Sequence, residues 1–330
     1  MGDALRLVVN PAAGRGRVTR ILPEVLGTLS ASPVCVRACE TASLDHAAEL
    51  AAEACRQGES VVAVGGDGLV GSLAAAVAGA GGVLGIIPAG RGNDFARMLG
   101  IPTRPSDAAA VLMTGQRRAV DLIGVRIADG PEQVVAGSVY LGVPSEGGEI
   151  ASRSRLTVGA LGYQLAGVRA LLAWKPATFM VDTGPNHSFP GFCVVVANSA
   201  YLAAGTMAAP AADVADGLLD VITVRHGPKP SFVRVMLRAG HGTHVELKQV
   251  GTRRARAVTV TADRAMPVGA DGESLRYASP LAAGSPLHIR ALPGALQVIT
   301  PAPAVTLSQG VRRAPKAMAT QPPGGAHGQG

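Results

Sequence analysis

Residues 61–68 read Val-Val-Ala-Val-Gly-Gly-Asp-Gly, so an apolar run passes directly into a glycine-rich turn. The run has the composition of a buried strand, and residues 69–78 continue as an alanine-rich helix. A strand that ends in bare backbone N–H groups beside a helix N-terminus favours phosphate binding, although plain turns of this kind are common in α/β sheets. Asp67 favours the binding interpretation. A carboxylate in a phosphate-type loop would repel the phosphate unless it binds a metal ion or a hydroxyl of the nucleotide.

Strand and helix patterns alternate on both sides of this stretch. The predicted strands cover residues 5–10, 34–37, 61–64 and 83–87, and the predicted helices cover residues 21–29, 44–56 and 69–78. Ser106 is expected to cap a further helix that ends at Gly115. Such alternation is typical of a parallel sheet covered by helices. Residues 1–122 are therefore predicted to form an N-terminal α/β domain with a doubly wound parallel sheet.

The pattern changes after about residue 120 to short alternating runs separated by glycine and proline. These runs cover residues 134–143, 192–196, 218–224 and 257–261. One helical segment, residues 156–174, interrupts them. Residues 123–300 are therefore predicted to form a C-terminal β-rich, sandwich-like domain. Residues 301–330 are rich in proline, glycine and glutamine, and we expect them to be disordered.

Composition and charge exclude several function classes. The 330 residues carry a formal net charge of +7, which favours an anionic partner such as a nucleotide or a membrane surface. The few aromatic residues are not interleaved with the basic ones, so we expect no nucleic-acid partner. The four cysteines lack the spacing of a zinc site or a disulfide scaffold. No apolar signal segment follows Met1, and glycines interrupt the uncharged residues 72–90, so the sequence predicts a cytoplasmic protein without a transmembrane helix.

Two more glycine-rich turns follow predicted strands. Residues 10–16 read Asn-Pro-Ala-Ala-Gly-Arg-Gly, and residues 88–95 read Pro-Ala-Gly-Arg-Gly-Asn-Asp-Phe. Because the carboxyl ends of parallel strands lie at one edge of a sheet, we expect all three turns to converge there. The chain has no G-x-x-x-x-G-K-[ST] motif, and residues 14–19 lack the third glycine of a dinucleotide fingerprint. The turns therefore predict a phosphate site that belongs to neither of these common classes.

These motifs, in this order, resemble the catalytic domain of bacterial diacylglycerol kinases and sphingosine kinases, a family of lipid kinases. The likeness continues through residues 195–198, residues 209–221 and the Asp-Gly-Glu at residues 271–273, and it covers residues 5 to about 300. Two departures follow the Gly-Gly-Asp-Gly turn. Leu69 stands where bacterial diacylglycerol kinases usually have Thr, and Gly71-Ser72 replaces their usual Asn-Glu. Leu at that place is familiar from sphingosine and ceramide kinases. The change therefore bears on which lipid is the substrate more than on whether a phosphoryl group is transferred.

The resemblance implies that ATP binds in a cleft between the domains and that its γ-phosphoryl group passes to a primary hydroxyl of a lipid, such as diacylglycerol or a sphingoid base. The implied nucleotide contacts are Asn10, Gly14, Thr41, Gly65, Gly66, Asp67, Gly68, Gly90, Arg91 and Asn93. Asp271 is the expected general base, because a primary hydroxyl is a poor nucleophile until its proton is accepted. Glu273 and Asp67 are expected as further catalytic carboxylates, with Glu273 a candidate for contact with magnesium or the nucleotide. A plain hairpin turn is the competing interpretation of the Asp-Gly-Glu string.

Magnesium is the expected cofactor, and the resemblance implies a structural magnesium loop at residues 213–218. Its ligands would be the Asp216 carboxylate and the backbone carbonyls of Asp213 and Leu218. Ligation by oxygen alone suits Mg²⁺. An Asp-Gly turn that leads into a strand explains the same residues equally well.

A lipid substrate implies peripheral contact with an anionic membrane, and the helical segment 156–174 is the candidate surface. Its apolar and flanking basic residues are Leu161, Tyr163, Leu165, Val168, Leu171, Leu172 and Trp174, with Arg153, Arg155, Arg169 and Lys175. A core helix with a solvated basic face is the favoured alternative. The sequence is compatible with a homodimer but does not determine the oligomeric state.

Two other functions stay open at this point. A NAD kinase-like enzyme shares the Gly-Gly-Asp-Gly turn and a related two-domain plan, but it would need a nucleoside diphosphate site. A catalytically silent lipid-binding regulator could retain the same fold, since a fold alone does not determine function. The residues after Gly68 favour this second alternative, whereas the intact Asp67 and Asp271 argue against it.

Overall fold

The computed structural model describes residues 4–153, 160–184, 186–275 and 280–302, with the backbone alone at residues 153, 160–164, 273 and 274. The N-terminal part is a parallel sheet covered by helices, and the C-terminal part is rich in antiparallel strands. The predicted fold class is therefore confirmed. Of the helices in these ranges, none is both long and apolar enough to cross a bilayer. Disorder was predicted for residues 301–330, and residues 303–330 lie outside the described part of the chain.

The N-terminal part contains four parallel strands in the order β2-β1-β3-β4. The strands are β1 (Ala4–Val9), β2 (Cys35–Glu40), β3 (Ser60–Gly65) and β4 (Val83–Pro88). The helices are α1 (Arg17–Leu29), α2 (Leu44–Arg56), α3 (Asp67–Gly79), α4 (Asp94–Met98) and α5 (Pro105–Thr114), and a 3₁₀ turn covers Ala13–Arg15. Because all four strands are parallel, their carboxyl ends lie at a single edge of the sheet.

Local sequence explains how several of these elements begin. All six residues of β3 are buried, as expected for a parallel strand covered on both faces. The Ser43 side chain begins α2 by accepting the His46 N–H at 3.0 Å. The start of α5 corrects one prediction, because Arg104 is its N-cap and Pro105 its first residue, so Ser106 lies inside the first turn. Proline is favoured at that place because an N–H there would have no intrahelical partner.

The C-terminal part contains most of the antiparallel strands. Its strands are β5 (Gln116–Ile127), β6 (Gln133–Val135), β7 (Ser138–Gly142), β8 (Ala177–Asp182), β9 (Asn186–Ala197), β10 (Tyr201–Leu202), β11 (Thr206–Met207), β12 (Leu219–Arg225), β13 (Val250–Ala255), β14 (Ala257–Ala262), β15 (Val268–Ala270), β16 (Glu273–Ser274) and β17 (Leu287–Thr300). Its helices are α6 (Val143–Arg153), α7 (Ala160–Ala173) and α8 (Lys229–Ala239), and a second 3₁₀ turn covers Thr243–Glu246. The run predicted over residues 134–143 is divided between β6 and β7.

The last strand joins the two parts of the molecule. β17 pairs with β14 through its first residues and, beyond an irregularity between Leu292 and Leu296, runs parallel to β4 through Gln297 and Val298. β5 lies antiparallel along most of the same strand. One sheet therefore continues from the N-terminal part into the C-terminal part, a connection that the sequence did not predict.

The packing partners of β5 change along its length. Val120 and Leu122 belong to the hydrophobic cluster of the N-terminal part, whereas Ile123 and Val125 belong to the cluster of the C-terminal part. Each cluster is a contiguous apolar core of the kind that defines a domain. We propose that the boundary between the two domains lies after residue 122, where the packing partners of β5 change.

Candidate active site

Three glycine-rich turns meet at the carboxyl edge of the N-terminal sheet. A Cβ on Gly14 would overlap the carbonyl oxygen of Ala89, and a Cβ on Gly90 would overlap the Cα of Gly66. The turns after β1, β3 and β4 are therefore in direct backbone contact. Because glycine alone permits this approach, the edge presents unshielded peptide groups, which suits a phosphate chain.

The Asp67 side chain ties two of these turns together. It is the first residue of α3, and its Oδ2 and Oδ1 accept the N–H groups of Asn93 and Asp94 at 2.7 and 2.6 Å. The carboxylate thus binds the N-terminus of α4. The sequence predicted a metal or nucleotide partner for Asp67, and that partner stays a prediction; the partner that the fold shows is the backbone at the start of α4.

Asn93 holds the turn after β4 closed. It has a left-handed backbone, with φ of 53°. Its Oδ1 accepts the Gly90 N–H at 2.8 Å, and its Nδ2 donates to the Gly90 carbonyl at 3.1 Å. Asn93 is buried, whereas Arg91 at the tip of the same turn is exposed. Between Asn93 and Arg91, it is therefore the Arg91 side chain that a ligand from solution can reach.

The remaining predicted nucleotide residues lie at the ends of the neighbouring strands. Asn10 follows β1, and its Oδ1 accepts the Ala12 N–H at 3.0 Å. Thr41 follows β2 and is buried, with its hydroxyl donating to the Ser43 carbonyl at 2.5 Å. Gly65 ends β3, and Gly68 is the second residue of α3. All of these residues are at the same edge, although the two polar side chains bond within their own turns.

Asp271 reaches the cleft from the C-terminal part through a hairpin turn. Asp271 and Gly272 form the two-residue turn between β15 and β16, with φ of 48° and 88°. Positive φ at both positions is typical of a tight two-residue hairpin, and Asp-Gly is a favoured pair for it. The competing hairpin interpretation of this string is therefore correct as local structure. The same turn directs the Asp271 carboxylate inwards.

Three consecutive backbone N–H groups fix the Asp271 carboxylate. Oδ1 accepts from Gly137 at 2.8 Å and from Ser138 at 2.9 Å, and Oδ2 accepts from Ala136 at 2.9 Å. Burial, with a smaller contribution from the Asp67 charge, raises the pKa of Asp271 to about 6 against the lowering effect of these hydrogen bonds. A carboxyl group with a pKa near neutrality in a cleft is a candidate for proton transfer.

The two parts of the molecule face each other across this cleft. A Cβ on Gly71 of α3 would lie 3.2 Å from Asp271 Oδ2, so the helix that begins at Asp67 passes directly opposite the carboxylate. The cavity here is lined by Asp67, Gly71, Asp94, Phe95, Ala136, Gly137, Ser138, Ser199, Tyr201, Leu202 and Asp271. The structure thus brings Asp67 and Asp271 into one cavity.

Asp94 is a site residue that sequence reasoning missed. Its carboxylate accepts the N–H groups of Ala204 at 2.9 Å and Gly205 at 2.7 Å, which links α4 to the C-terminal part. Burial raises the pKa of Asp94, and the Asp67 charge adds to this effect. The Asn-Asp string in the third turn was a visible signal, but a sequence does not show which of the two side chains enters the cleft.

Asn198 supports the backbone segment that holds Asp271. It is fully buried, and its Nδ2 donates to the carbonyls of Asp121 at 2.7 Å and Ala136 at 3.0 Å. The N–H groups of Asn198 and Ser199 both donate to the Gly137 carbonyl. The resemblance to the lipid kinases singled out this Asn, and the structure shows that it positions the donors of the Asp271 carboxylate.

The predicted magnesium loop is occupied by basic side chains. Asp216 accepts the Leu218 N–H at 2.9 Å with one oxygen and pairs with Arg254 through the other. Asp213 lies 3.5 Å from Arg118. Within the described ranges, no three His, Cys, Asp or Glu side chains are placed to share a metal ion. The carboxylate and carbonyl oxygens suit magnesium, but Arg254 would have to release Asp216, so this assignment stays a prediction.

Two further predictions fall partly outside the description. The described part of the structure does not include the side chain of Glu273. It also does not include the side chains of Arg153, Leu161 and Tyr163, or residue Arg155. On the described part of α7 and the residues after it, Leu165, Val168 and Leu172 are exposed, whereas Leu171 and Trp174 are buried. Leu171 and Trp174 pack into the C-terminal core, as the favoured core-helix alternative has it, so the membrane-facing interpretation is wrong for these two residues.

Comparison with known proteins agrees with this architecture. A family model described as "Diacylglycerol kinase catalytic domain" matches residues 4–125, and one described as "YegS C-terminal NAD kinase beta sandwich-like domain" matches residues 137–300. A diacylglycerol kinase of Mycobacterium tuberculosis (strain ATCC 25618 / H37Rv) is 32% identical over 298 residues, which cover 89% of this chain and 94% of that protein. A diacylglycerol kinase of Bacillus subtilis (strain 168) is 26% identical over 282 residues, covering 81% and 89% respectively.

The fold is also found among solved structures. The crystal structure of a diacylglycerol kinase from Bacillus anthracis str. Sterne superposes with a TM-score of 0.69, covering 92% of this chain and 98% of that chain at 21% identity. At that identity the likeness shows the fold alone. The sequence relatives and the matched domains lead to one assignment. The chain belongs to the diacylglycerol kinase-like family of lipid kinases and is a phosphotransferase of that type.

Proposed function

We propose that the protein transfers the γ-phosphoryl group of ATP to the primary hydroxyl of a lipid alcohol, with diacylglycerol as the first substrate to test. The observation that carries this proposal is the Asp271 carboxylate, which faces α3 across the cleft with a pKa of about 6. Relatives that cover most of the chain are named diacylglycerol kinases, which favours that lipid. A sphingoid base is the second candidate.

Asp271 is proposed as the general base. Its Oδ2 accepts a single N–H, from Ala136, and so retains a lone pair that can accept the proton of the substrate hydroxyl. The hydroxyl oxygen then attacks the γ-phosphorus as its proton passes to Oδ2, and the bond from the γ-phosphorus to the bridging oxygen of the β-phosphate breaks, so that ADP leaves. A base is most effective when its pKa lies near the working pH, and burial brings Asp271 into that range.

The converging turns are proposed as the phosphate cradle. α3 has 13 residues, and its first N–H groups point towards the edge at which the three turns meet. The contact between Gly66 and Gly90 leaves no room for side chains, so peptide groups would contact the phosphates. The exposed Arg15 and Arg91 on two of the turns supply positive charge.

Magnesium fits the chemistry of the cleft. Asp67, Asp94 and Asp271 line one cavity, so negative charge is concentrated there. Mg²⁺ is commonly held by one or two carboxylates together with substrate phosphates. We propose that Asp67 and Asp94 would hold it in this way. When bound, the ion would neutralise charge on the transferring phosphoryl group.

Peripheral membrane contact is proposed at α7. Leu165, Val168 and Leu172 recur at helical spacing, and Arg169 between them is also exposed. Apolar side chains with a neighbouring basic residue suit the surface of an anionic bilayer. The proposed location of the protein is thus the cytoplasm, with attachment to a membrane surface.

A lipid panel tests the proposed function. The purified protein would be incubated with ATP and Mg²⁺ in mixed micelles that contain diacylglycerol, sphingosine or ceramide, and the products would be identified by mass spectrometry. We expect a phosphorylated product from at least one lipid, and none when Asp271→Asn replaces the wild type. Vesicle binding by a folded protein that phosphorylates none of these lipids would favour the silent regulator instead.

A further inference from the structure

A second cavity lies in the C-terminal part, away from the catalytic cleft. It is an open groove with a cavity volume of about 130 Å³, lined by Val181, His187, Val221, Thr223, Arg225, Gly251, Thr252 and Arg253. The two cavities share no lining residue. His187 lies near the start of β9, and the cleft residue Ser199 follows the end of that strand. Ten strand residues span about 33 Å, so the groove is remote from the proposed chemistry.

Strand geometry explains why two arginines share the groove. Val221, Thr223 and Arg225 alternate along β12 and therefore point to one face of the sheet. On the neighbouring β13, Arg253 pairs with Val221 and Gly251 pairs with Thr223. Cross-strand partners lie on the same face. Along the strands, Arg253 and Arg225 thus occupy positions on either side of Thr223 on this face.

Gly251 keeps the space between the arginines open. A Cβ at this position would lie 2.7 Å from the Thr223 hydroxyl, so a larger residue would fill the groove at its centre. The Thr223 hydroxyl donates to the Gly251 carbonyl at 3.3 Å, which is long for an O–H···O hydrogen bond. A stronger acceptor in the groove would therefore compete well for this donor.

The polar groups of the groove are mainly donors without an acidic partner. Arg225 contacts Nε2 of His187 at 3.2 Å, and the His187 ring stacks on Phe189 with centroids 5.4 Å apart. No carboxylate occurs among the described residues that line the groove. Arginine forks match the geometry of phosphate oxygens. We propose that the groove binds a phosphate group, carried either by a lipid headgroup or by free inorganic phosphate.

An NMR titration of the full chain with inorganic phosphate tests this site. The His187 ring signals, identified by their loss in His187→Gln, report on the groove and not on the cleft. We expect them to shift saturably in wild-type protein at millimolar phosphate. In the double variant R225Q/R253Q the same shift should need at least about tenfold more phosphate, because two charge-assisted hydrogen bonds are lost.

Vesicle co-sedimentation distinguishes the two sources of phosphate. Vesicles of phosphatidylcholine with phosphatidic acid would be compared with vesicles of phosphatidylcholine alone. The matched control is R20Q/R104Q, which removes the same charge from exposed positions in the N-terminal part. Selective loss of vesicle binding in R225Q/R253Q would identify the headgroup as the source. Unchanged vesicle binding together with a weakened phosphate titration would identify free phosphate.

The proposal is overturned if R225Q/R253Q and R20Q/R104Q behave alike in both experiments. Arg225 and Arg253 are both exposed, so we expect the double variant to fold, and a melting curve checks this. If it does not fold, R253Q supplies the comparison through a single exposed side chain. Since both readouts measure binding, the result is independent of whether the protein phosphorylates a lipid.

Discussion

Asp271→Asn separates the chemistry of the cleft from its architecture. The change replaces one carboxylate oxygen by an amide nitrogen and preserves the size of the side chain. If Oδ1 keeps its two N–H donors, the amide nitrogen faces the Ala136 N–H and cannot accept from it. The variant also lacks the group that accepts the hydroxyl proton. We expect kcat to fall by about 10²–10⁴, the usual contribution of a general base.

Stability provides a second expectation for the same substitution. The pKa of Asp271 rises from 3.8 to about 6 on folding, mainly because the group is buried. Between these values the folded protein holds a proton that the unfolded chain has released, so stability falls as pH rises through this range. This pKa difference of about two units corresponds to about 3 kcal/mol in the free energy of unfolding, and all of this stabilisation is lost above pH 6. The neutral variant should lack this fall, although its unpaired Ala136 N–H costs ~1–3 kcal/mol at every pH.

Initial rates and urea unfolding measure the two effects. For wild-type protein, the rate of lipid phosphorylation should rise with an apparent pKa near 6. Urea midpoints at about pH 4 and about pH 7 should differ more for the wild type than for Asp271→Asn. Asp129→Asn, at an exposed position, is the matched control and should behave as wild type in both assays. A variant with kcat within about tenfold of wild type would refute the assignment of the base.

Two substitutions at glycines, with a third as a control, test the packing of the cleft. Gly71→Ala places a Cβ 3.2 Å from Asp271 Oδ2, so initial rates should fall while α3 gains up to ~1 kcal/mol in thermal melts. Gly79→Ala, in the same helix with open space around it, should gain stability at full activity, and equal rates for the two variants would contradict the contact. Gly90→Ala forces a Cβ against the Gly66 backbone, so it should cost ~1–3 kcal/mol and weaken binding of an ATP analogue measured by calorimetry. Wild-type affinity in that variant would show that the two turns are not packed as described.

Local patterns predicted most of the strands and helices of the N-terminal part. The predicted helix over residues 44–56 coincides with α2, because Ser43, an alanine-rich face and the glycine that follows it all act within a few residues. The convergence of the three turns followed from one rule, that parallel strands end at a common edge. Ser106 was wrongly expected as a cap, because α5 begins at Pro105, two residues earlier than a cap at Ser106 would place its start.

Contacts between distant segments could not be predicted from the sequence. The parallel pairing of β17 with β4 joins residues more than 200 positions apart, and neither strand carries a local signal for its partner. The hydrogen bonds of Asp67 to the start of α4 and of Asp94 to Ala204 and Gly205 are of the same kind. The residue types of the cleft were therefore visible in the sequence, while their hydrogen-bond partners required the tertiary structure.

Transfer of label from γ-labelled ATP to diacylglycerol in mixed micelles, with NAD present as a competing acceptor, tests the proposed function most directly. The wild-type protein should label the lipid fraction in a magnesium-dependent reaction and leave NAD unlabelled. Asp271→Asn should label neither. Label in NAD, or equal labelling of the lipid by wild type and Asp271→Asn, would contradict a lipid kinase that uses Asp271 as its base.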